Sequence, residues 1–499
     1  MSLNTTIKRI QDIMRKDVGV DGDAQRIGQL GWMLFLKIWD DREQELEIVE
    51  DDYISPLVNV RWNDSGTIRE SDDLRWRAWA SDDEGLTGEG LLTFANEELF
   101  PALKEMIVTS SNSTPTLLKR QRLIQGVFSD TFQYMKSGTL LRQVINVIDK
   151  DINFNESKTR HLFGDIYEKI LKNLQSAGFA GEFYTPRAVT QFVVEMANPK
   201  LDEIVLDPAC GTGGFLTGAI EHIRNSGVTT PEQEATLQDS IRGVEKKPLP
   251  HLLCTTNMII HGLDTPSGVI RDNTLSRPLR DYTAKDRVDV ILTNPPFGGI
   301  EEDGIESNFP TDIRTRETAD LFLVLIMTLL KNGGRAAVIL PDGTLFGEGV
   351  KTRIKEKLLR ECNLHTIVRL PKSVFAPYTS IATNILFFTK GTPTTETWYF
   401  EHPLPEGYKA YSKTKPISIS EFNLEKEWWE NRVETENAWC VNIDEIRNRE
   451  YNLDIKNPNN HEDLLEDPAV ILTRFEEERV KAQDMLEQLR SILTDVLLK

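Results

Sequence analysis

The chain has 499 residues, of which 39% are hydrophobic, and 58 lysines and arginines against 78 aspartates and glutamates give a net charge of −20 at pH 7. This length exceeds one ordinary hydrophobic core and predicts a soluble globular protein of two or three domains. No signal peptide is apparent, and the longest apolar run, Leu321 to Leu330, is too short to cross a bilayer, so we expect a cytoplasmic protein.

The first part of the chain, residues 1–150, is predicted to form a helical domain. Leu3, Ile7, Ile10 and Met14 recur with the spacing of one helix face, and the following apolar stretches continue this pattern. Polar stretches within the region are typical of loops between helices.

The second part, residues 151–455, is predicted to form an α/β domain. Helical stretches alternate there with short apolar strands, such as residues 336–340, 366–370 and 385–388. This alternation is typical of a doubly wound sheet. An apolar helix that begins at Asp320 is predicted to pack on the sheet, which is a structural role.

A strand, a glycine-rich turn and a helix follow one another within residues 201–223. The strand leads into Asp207, and Gly211, Gly213 and Gly214 let the backbone approach a ligand closely. The N–H groups at the start of the helix favour a carboxylate or another acceptor-rich group. No Gly-Lys-Ser/Thr follows, and the spacing differs from Gly-x-Gly-x-x-Gly, so phosphate binding is the weaker interpretation.

Two later strand ends carry side chains that suit a nucleoside. Glu245 ends a strand at 241–244, where a carboxylate at the edge of the sheet can accept both hydroxyls of a ribose. Asp272 and Asn273 follow the strand-like residues 268–270, where a side-chain acceptor can read an adenine amine. Taken singly, Glu245 and Asp272 are compatible with solvated strand ends, but their order along the chain favours a nucleoside site.

The apolar run 288–293 ends in the tetrad Asn294, Pro295, Pro296 and Phe297. An amine conjugated to a ring is a poor nucleophile because its lone pair is delocalised. The Asn294 side-chain oxygen and the Pro295 carbonyl can accept its two N–H groups and redirect the lone pair, without a strong base. Two prolines hold the backbone rigid, and Phe297 is predicted to stack on an extruded base. The tetrad alone is also compatible with a plain turn.

Other features of the chain predict no further chemistry. Cys210 lies in the glycine-rich turn, but without a nearby histidine it is predicted to be a buried filler rather than a nucleophile. The four cysteines form no Cys-x-x-Cys pair and the seven histidines lack ligand spacing, so neither a disulfide framework nor a metal site is predicted. The polar segment 298–318 is either a mobile lid over the target base or a solvated loop.

Residues 456–461 are typical of a linker, and residues 462–499 are predicted to form a C-terminal helix of the coiled-coil type. Apolar residues recur there at alternating intervals of three and four. These residues, interrupted only by Arg479, are Leu472, Phe475, Ala482, Leu486, Leu489, Leu493 and Val496. The seam either folds back onto its own domain or packs on a helix of a partner.

In this order, the motifs resemble the S-adenosylmethionine-dependent adenine-N6 DNA methyltransferases, and among them the modification (M) subunits of Type I restriction–modification systems. The resemblance covers most of the chain and implies a Rossmann-like methyltransferase domain. It implies the cofactor-binding residues Glu182, Phe183, Tyr184, Thr185, Pro186, Arg187, Asp207, Thr212, Gly213, Gly214, Glu245, Asp272 and Asn273. In the family, the segment at 182–187 closes over the methionine end of the cofactor, and Thr212 to Gly214 meet its carboxylate. An ordinary helix entry near Pro186 is the alternative.

The resemblance also implies a function within a complex. The chain would transfer a methyl group from S-adenosylmethionine to the N6 amine of a flipped adenine in DNA. A net charge of −20 is unfavourable for tight DNA binding by one chain alone. A specificity (S) subunit is therefore expected to supply phosphate contacts and sequence readout. A second copy of the modification subunit and a restriction (R) subunit are further expected partners, with the C-terminal seam on helices of the specificity subunit.

Two other functions remain open at this level. Asn-Pro-Pro-Tyr/Phe also occurs in methyltransferases that act on protein glutamine or on ribosomal-RNA guanine, but the helical front and the heptad tail argue against these usually smaller enzymes. A non-enzymatic subunit that only binds cofactor or partners is disfavoured by the intact turn and tetrad.

Overall fold

The structure is a computed structural model that describes residues 3–459, apart from 84, 109–113, 153–184, 298, 377 and 413, and also residues 479, 483 and 485. The predicted site residues Glu182, Phe183 and Tyr184 lie outside this part of the chain. The C-terminal seam, apart from Arg479, also lies outside it, so the helix at 462–499 stays a prediction.

The described helices and strands are numbered in chain order. The helices are α1 Leu3–Met14, α2 Asp23–Val49, α3 Trp76–Trp79, α4 Gly88–Thr93, α5 Phe100–Lys104, α6 Pro115–Phe128, α7 Gly138–Asp151, α8 Arg187–Ala197, α9 Gly214–Asn225, α10 Pro231–Ser240, α11 Pro248–Ile260, α12 Thr318–Leu329, α13 Asp342–Phe346, α14 Val350–Glu361, α15 Asn423–Glu430 and α16 Ile443–Asn448. The strands are β1 Val58–Asp64, β2 Thr67–Asp73, β3 Val205–Asp207, β4 Ile241–Glu245, β5 Val269–Arg271, β6 Val288–Thr293, β7 Leu330–Pro341, β8 Cys362–Leu370, β9 Thr383–Lys390, β10 Glu396–Glu401 and β11 Ala438–Asn442.

The N-terminal part combines α1–α7 with a β-hairpin that the sequence analysis did not predict. β1 and β2 pair antiparallel, and Asp64 faces Thr67 across a two-residue turn. The turn residues Ser65 and Gly66 have φ of 51° and 92°, and both central residues of a type I′ turn require positive φ. Helices dominate this region, but it is not wholly helical. Among the described residues, none of the helices is long and apolar enough to span a membrane.

A mixed sheet of nine described strands forms the centre of the second part. The strand order is β5-β4-β3-β6-β7-β9-β8-β10-β11. The strands from β5 to β7 run parallel, whereas β9 runs antiparallel to β7 and β8, and β11 runs antiparallel to β10. The predicted α/β fold is confirmed, and the sheet contains two antiparallel strands that the alternation of elements did not reveal.

The strand order creates a crevice between β3 and β6. After β3 the chain forms β4 and β5 on one side, then returns to form β6 and β7 on the other side. Ligands of such sheets bind outside the carboxyl ends of the strands, at the point where the winding reverses. Asp207 ends β3 and Asn294 follows β6, so the glycine-rich turn and the tetrad leave the sheet side by side.

The strand β6 shows why helices cover both faces of the sheet. Val290 and Leu292 are buried in one hydrophobic cluster with residues of α8 and α9, whereas Ile291 is buried in another cluster with α12 and α14. Successive residues of a strand point to opposite faces, so a continuously apolar strand needs cover on both. The apolar helix predicted after Asp320 is α12, and it packs in the second cluster.

The N-terminal part packs against helix α11 of the second part. Leu252 and Leu253 of α11 are buried in the same hydrophobic cluster as residues of α1, α2 and α7. Gly31 of α2 lies so close to α11 that an added Cβ would be 3.1 Å from Leu252 Cδ2. Beside this contact, Arg42 Nε donates to Asp264 Oδ1 at 2.8 Å. Helix α11 therefore belongs to the core of both parts.

Candidate active site at the carboxyl edge of the sheet

A cavity of about 410 Å³ opens at the carboxyl edge of the sheet. Its walls come from the loops after β3, β4 and β6, from the start of α8 and from the segment that leads into α12. The volume lies within the range of roughly 300–1,000 Å³ that is usual for ligand pockets. The predicted site residues that line it are Thr185, Asp207, Thr212, Gly214, Glu245, Asn294, Pro295, Pro296 and Phe297.

Five other predicted residues lie around the cavity without lining it. Pro186 immediately precedes α8, and Arg187 begins that helix and lines a smaller adjoining cavity. Asp272 and Asn273 follow β5, and the Asp272 N–H donates to the Glu245 carbonyl oxygen at 3.0 Å. Gly213 belongs to the glycine-rich turn and faces helix α11. The sequence-predicted set thus includes residues that line the cavity and residues that lie beside it.

Gly213 lets the glycine-rich turn fit against helix α11. Its φ of 85° lies in the left-handed region, which disfavours residues with a Cβ. A Cβ at this position would lie 2.8 Å from both Cys254 Sγ and Met258 Cε. The turn then leads into α9 at Gly214, and the first N–H groups of a helix favour an anionic group of a ligand.

Backbone N–H groups hold the Glu245 carboxylate at the end of β4. The Gly211 N–H donates to Oε2 at 2.9 Å, and the Lys247 N–H donates to Oε1 at 2.7 Å. A carboxylate accepts several hydrogen bonds at once, so a side chain oriented in this way suits the two hydroxyls of a ribose.

Asp207 connects the two loops that leave the crevice. The side chain is 1% exposed, and its Oδ1 accepts from Thr293 Oγ1 at 2.7 Å and from the Ala209 N–H at 3.1 Å. Burial raises the pKa of Asp207 to about 7, although these two hydrogen bonds oppose the shift. Asp207 therefore acts as a positioning residue between the end of β3 and the last residue of β6.

Asn294 presents a buried oxygen at the cavity. Its Nδ2 donates to Thr185 Oγ1 at 2.9 Å, which fixes the orientation of the amide. Among the described residues, no group donates a hydrogen bond to the buried Oδ1. A buried acceptor without a partner is costly unless a ligand supplies the donor. An amine N–H fits this requirement.

Phe297 contributes an aromatic wall beside this oxygen. The residue is 5% exposed, and its ring meets the Phe375 ring edge-on, with 5.8 Å between the centroids and an interplanar angle of 83°. Pro295 and Pro296 line the cavity between Asn294 and this ring. The arrangement suits a planar group whose amine lies next to Asn294.

Two apolar side chains anchor the segment after the tetrad to the protein, whereas most of its other described residues are exposed or half-buried. Both a lid and a solvated loop are compatible with this arrangement. Phe309 and Ile313 are 2% and 3% exposed, and they pack in the hydrophobic cluster of α12. At the base of the segment, the Thr318 N–H and Oγ1 both donate to the Gly299 carbonyl oxygen, at 3.1 Å and 2.9 Å. Ile300 also lines the cavity, so the segment forms one of its walls.

A group of ion pairs connects this segment to the end of β4. Lys246 Nζ lies 2.8 Å from Glu302 Oε1 and 3.3 Å from Glu301 Oε2. Partial burial lowers the pKa of Lys246, but the two carboxylates outweigh this effect and raise it. Lys246 and Glu301 both line the cavity. The sequence did not indicate this pair, because no local pattern joins residues that are 55 positions apart.

Helix α11 supports the glycine-rich turn from behind. Asn257 Nδ2 donates to the Thr212 carbonyl oxygen at 3.1 Å. Asn257 was not predicted from the sequence, where its local signal is a polar residue in a mostly apolar helix. Cys254 Sγ lies 3.7 Å from Cys210 Sγ, and this contact together with burial raises the pKa of the Cys210 thiol. A protonated, buried thiol supports the packing role predicted for Cys210.

Comparisons with known proteins agree with this geometry. The family model of the N-6 DNA methylases matches residues 158–467, and that of the HsdM N-terminal domain matches residues 3–148. The chain is 55% identical to the Type I restriction enzyme EcoEI methylase subunit of Escherichia coli, over 99% of this chain and 98% of the relative.

Solved structures give the same result. A crystal structure of a modification subunit, assigned to a type I restriction enzyme of Vibrio vulnificus YJ016, has a TM-score of 0.81 at 44% identity and covers 93% of this chain and 98% of its own. A structure of a type I R-M system, determined for its complex assembly and conformational transition, has a TM-score of 0.77 at 35% identity and covers 99% of both chains. The predicted family is thereby confirmed: the chain belongs to the N-6 DNA methylases, among the modification subunits of Type I restriction enzymes, and is an S-adenosylmethionine-dependent, adenine-specific DNA methyltransferase.

Proposed function

We propose that Asn294 and Pro295 activate the N6 amine of a flipped adenine. The single observation that carries this proposal is the buried Asn294 Oδ1, which lacks a hydrogen-bond partner within the described residues. This oxygen accepts one N–H of the amine, and the Pro295 carbonyl accepts the other. The two hydrogen bonds draw the amine toward a tetrahedral shape and direct its lone pair away from the ring.

The chain's own contacts keep this acceptor in place during the reaction. Thr185 Oγ1 accepts from Asn294 Nδ2, so rotation of the amide would break a hydrogen bond. The Asp207 carboxylate, bonded to Thr293, fixes the residue before Asn294. Two prolines restrict the following backbone. Preorganised acceptors of this kind need no reorganisation when charge develops on the amine.

The same cavity fits S-adenosylmethionine. We assign Thr212, Gly213 and Gly214 to the methionine carboxylate, because the turn and the start of α9 present N–H groups. We assign Glu245 to the ribose hydroxyls, and Asp272 with Asn273 to the adenine of the cofactor, since Asp272 directly bonds the backbone of Glu245. When bound, the cofactor supplies an electrophilic methyl group on a sulfonium centre.

The segment at the start of α8 and the aromatic residue of the tetrad are assigned to the cofactor and to the flipped base, respectively. Thr185, Pro186 and Arg187, with Glu182, Phe183 and Tyr184, are assigned to the methionine end of the cofactor. Phe297 stacks on the flipped adenine, and Tyr378 is a candidate for the other face of the base, whereas Phe375 contacts the Phe297 ring itself. The buried Phe297 ring, held edge-on by Phe375, supports this placement.

We further propose that the chain acts in the cytoplasm within a complex. Its net charge of −20 disfavours many phosphate contacts by this chain alone, so a specificity subunit supplies them together with the sequence readout. A second modification subunit and a restriction subunit are the other partners, and DNA is the substrate. Relatives named as methylase subunits of Type I restriction enzymes support this division of labour. The C-terminal seam at 462–499 is the proposed contact with the specificity subunit.

The proposed role of Asn294 is tested with Asn294→Ala. The variant should bind S-adenosylhomocysteine with unchanged affinity in calorimetry, because the cofactor pocket keeps its other contacts. Methyl transfer from tritiated S-adenosylmethionine to unmodified DNA should be lost in the complex with the specificity subunit. Thr185→Val, which removes the partner of Nδ2 but leaves Oδ1 in place, should retain part of the activity. Loss of cofactor affinity in Asn294→Ala would contradict the placement.

The dependence on a partner is tested separately. Methyl transfer is measured with this chain alone and after co-expression with the specificity subunit. Activity only in the co-expressed sample is expected, because phosphate contacts and sequence readout are assigned to the partner. Equal activity of the isolated chain would contradict this division of labour.

A further inference from the structure

A second cavity, of about 20 Å³, adjoins the large one. It lies between the starts of α8 and α9 and the buried face of α11, and the two cavities share Thr185, Thr190, Thr212 and Gly214. A cavity holds a water molecule when it offers about 10–15 Å³. This one therefore has room for one small polar group of a ligand that lies in the large cavity.

Asn257 of α11 is the most informative residue of this small cavity. The side chain is 2% exposed, and its Nδ2 donates to the Thr212 carbonyl oxygen at 3.1 Å. Its Oδ1 is buried and receives no hydrogen bond from the described residues. Buried acceptors are almost always paired in native proteins. Asn257 thus offers a second orphaned acceptor, behind the turn that holds the amino-acid end of the cofactor.

The same cavity is lined by the positively charged Arg187 and, from α9, by the carboxylate of Glu221. Glu221 Oε1 lies 3.6 Å from Arg187 Nη2 and 3.3 Å from His261 Nε2. His261 Nδ1 in turn lies 2.8 Å from the Asn257 carbonyl oxygen. These contacts hold the Glu221 carboxylate near Asn257. A carboxylate beside an amide oxygen suits a cationic hydrogen-bond donor.

We propose that the small cavity receives the α-ammonium group of S-adenosylmethionine, with Asn257 Oδ1 as its hydrogen-bond acceptor and Glu221 as its counter-charge. This inference rests on the proposed position of the methionine carboxylate at Thr212 to Gly214, because the ammonium and the carboxylate share one carbon atom. With the carboxylate at the start of α9, the ammonium lies next to the turn and within reach of α11. Asn257 then has two tasks, since one side-chain atom supports Thr212 and the other binds the ligand.

Calorimetry of the full chain with two probes tests the proposal. S-adenosylhomocysteine carries the amino-acid group, whereas 5′-methylthioadenosine has the same nucleoside and sulfur without it. Asn257→Ala should weaken binding of the first probe by roughly 10- to 100-fold, the usual effect of losing a hydrogen bond to a charged group. Binding of the second probe should be unchanged. Glu221→Gln should act in the same direction, and it keeps the test available if Asn257→Ala fails to fold.

Two control variants separate this proposal from the cofactor placement on which it rests. Glu245→Gln should weaken both probes alike, because both contain the ribose. Thr256→Val alters the buried residue that immediately precedes Asn257 in α11. Its Oγ1 donates to the Leu252 carbonyl oxygen at 2.7 Å, and the substitution should change the affinity for neither probe.

Because the turn is assigned to the carboxylate, which only the first probe carries, a purely supporting role of Asn257 would also weaken that probe alone. Unchanged affinity for S-adenosylhomocysteine in Glu221→Gln, which leaves the contact between Asn257 and Thr212 in place, would therefore mean that Asn257 only supports the turn, and would overturn the ammonium site. Unchanged affinity for S-adenosylhomocysteine in both Asn257→Ala and Glu221→Gln would overturn it as well. Unchanged affinities in Glu245→Gln would instead overturn the cofactor placement, and the ammonium site with it.

Discussion

Gly213→Ala should destabilise the protein more than Gly211→Ala, although both glycines have positive φ, 85° and 52° respectively. The left-handed backbone costs an alanine at either position about 1–2 kcal/mol. At Gly213 the added Cβ also lies 2.8 Å from Cys254 Sγ and Met258 Cε, whereas at Gly211 no atom lies within 4 Å of it. Overpacking of a buried region costs about 1–3 kcal/mol. The free energy of unfolding should therefore fall by about 2–5 kcal/mol in Gly213→Ala and by about 1–2 kcal/mol in Gly211→Ala.

Urea unfolding of the full chain, followed by circular dichroism, measures this difference. The cofactor is left out, because Gly211 lines the large cavity and its new Cβ would also contact a ligand. Adding Cys254→Ala to Gly213→Ala removes the sulfur from the clash and should restore part of the lost stability. Equal destabilisation by the two glycine substitutions, or no rescue by the second change, would refute the argument that close packing on α11 requires Gly213.

Three further outcomes are expected. Burial raises the pKa of Asp207 from 3.8 to about 7, so between these pH values the folded state keeps a proton that the unfolded chain loses. The stability from this group is therefore full below about pH 4, falls as the pH rises and levels off above about pH 7. Asp207→Asn should accordingly gain about 3 kcal/mol relative to wild type between pH 5 and pH 8 in urea unfolding, and a constant difference would contradict the raised pKa. Phe297→Ala should weaken retention of the flipped base by about 1–3 kcal/mol; with 2-aminopurine as target base, quenching as strong as in wild type would count against the stack. A double-mutant cycle of Arg42→Met and Asp264→Asn should give a coupling of about 1 kcal/mol, because the side chains are only 25% and 26% exposed; a coupling near zero would mean that the pair does not hold the two parts together.

The sequence predicted those parts of the site that one strand and its following loop contain. The buried run of β6 marks the position of Asn294, and the end of β3 marks Asp207, because the carboxyl ends of parallel strands meet at one edge of a sheet. The same rule predicts that Glu245, at the end of β4, lies at this edge of the sheet. The roles of these residues toward the cofactor and the base stay predictions until the variants above are measured.

Other features depend on packing between distant segments, which local patterns do not encode. Asn257 reaches Thr212 only because α11 packs behind the turn, and Lys246 meets Glu301 across a wall of the cavity. The direction of β9 was equally hidden, since strands buried on both faces are continuously apolar whether they run parallel or antiparallel. The missed hairpin is different, because Ser65 with Gly66 between two alternating strands is a turn signal that can be read locally.

The position of α11 has a consequence for how the chain is made. Leu252, Leu253, Ile259 and Ile260 complete the hydrophobic cluster of the N-terminal part. A ribosome synthesises the chain from its N-terminus, so residues up to Ile152 emerge well before the helix that closes their core. Until Ile260 has left the exit tunnel, the nascent N-terminal part exposes apolar surface of the kind that chaperones bind. The core of the N-terminal part is therefore completed only when α11, the helix behind the glycine-rich turn, has packed against it.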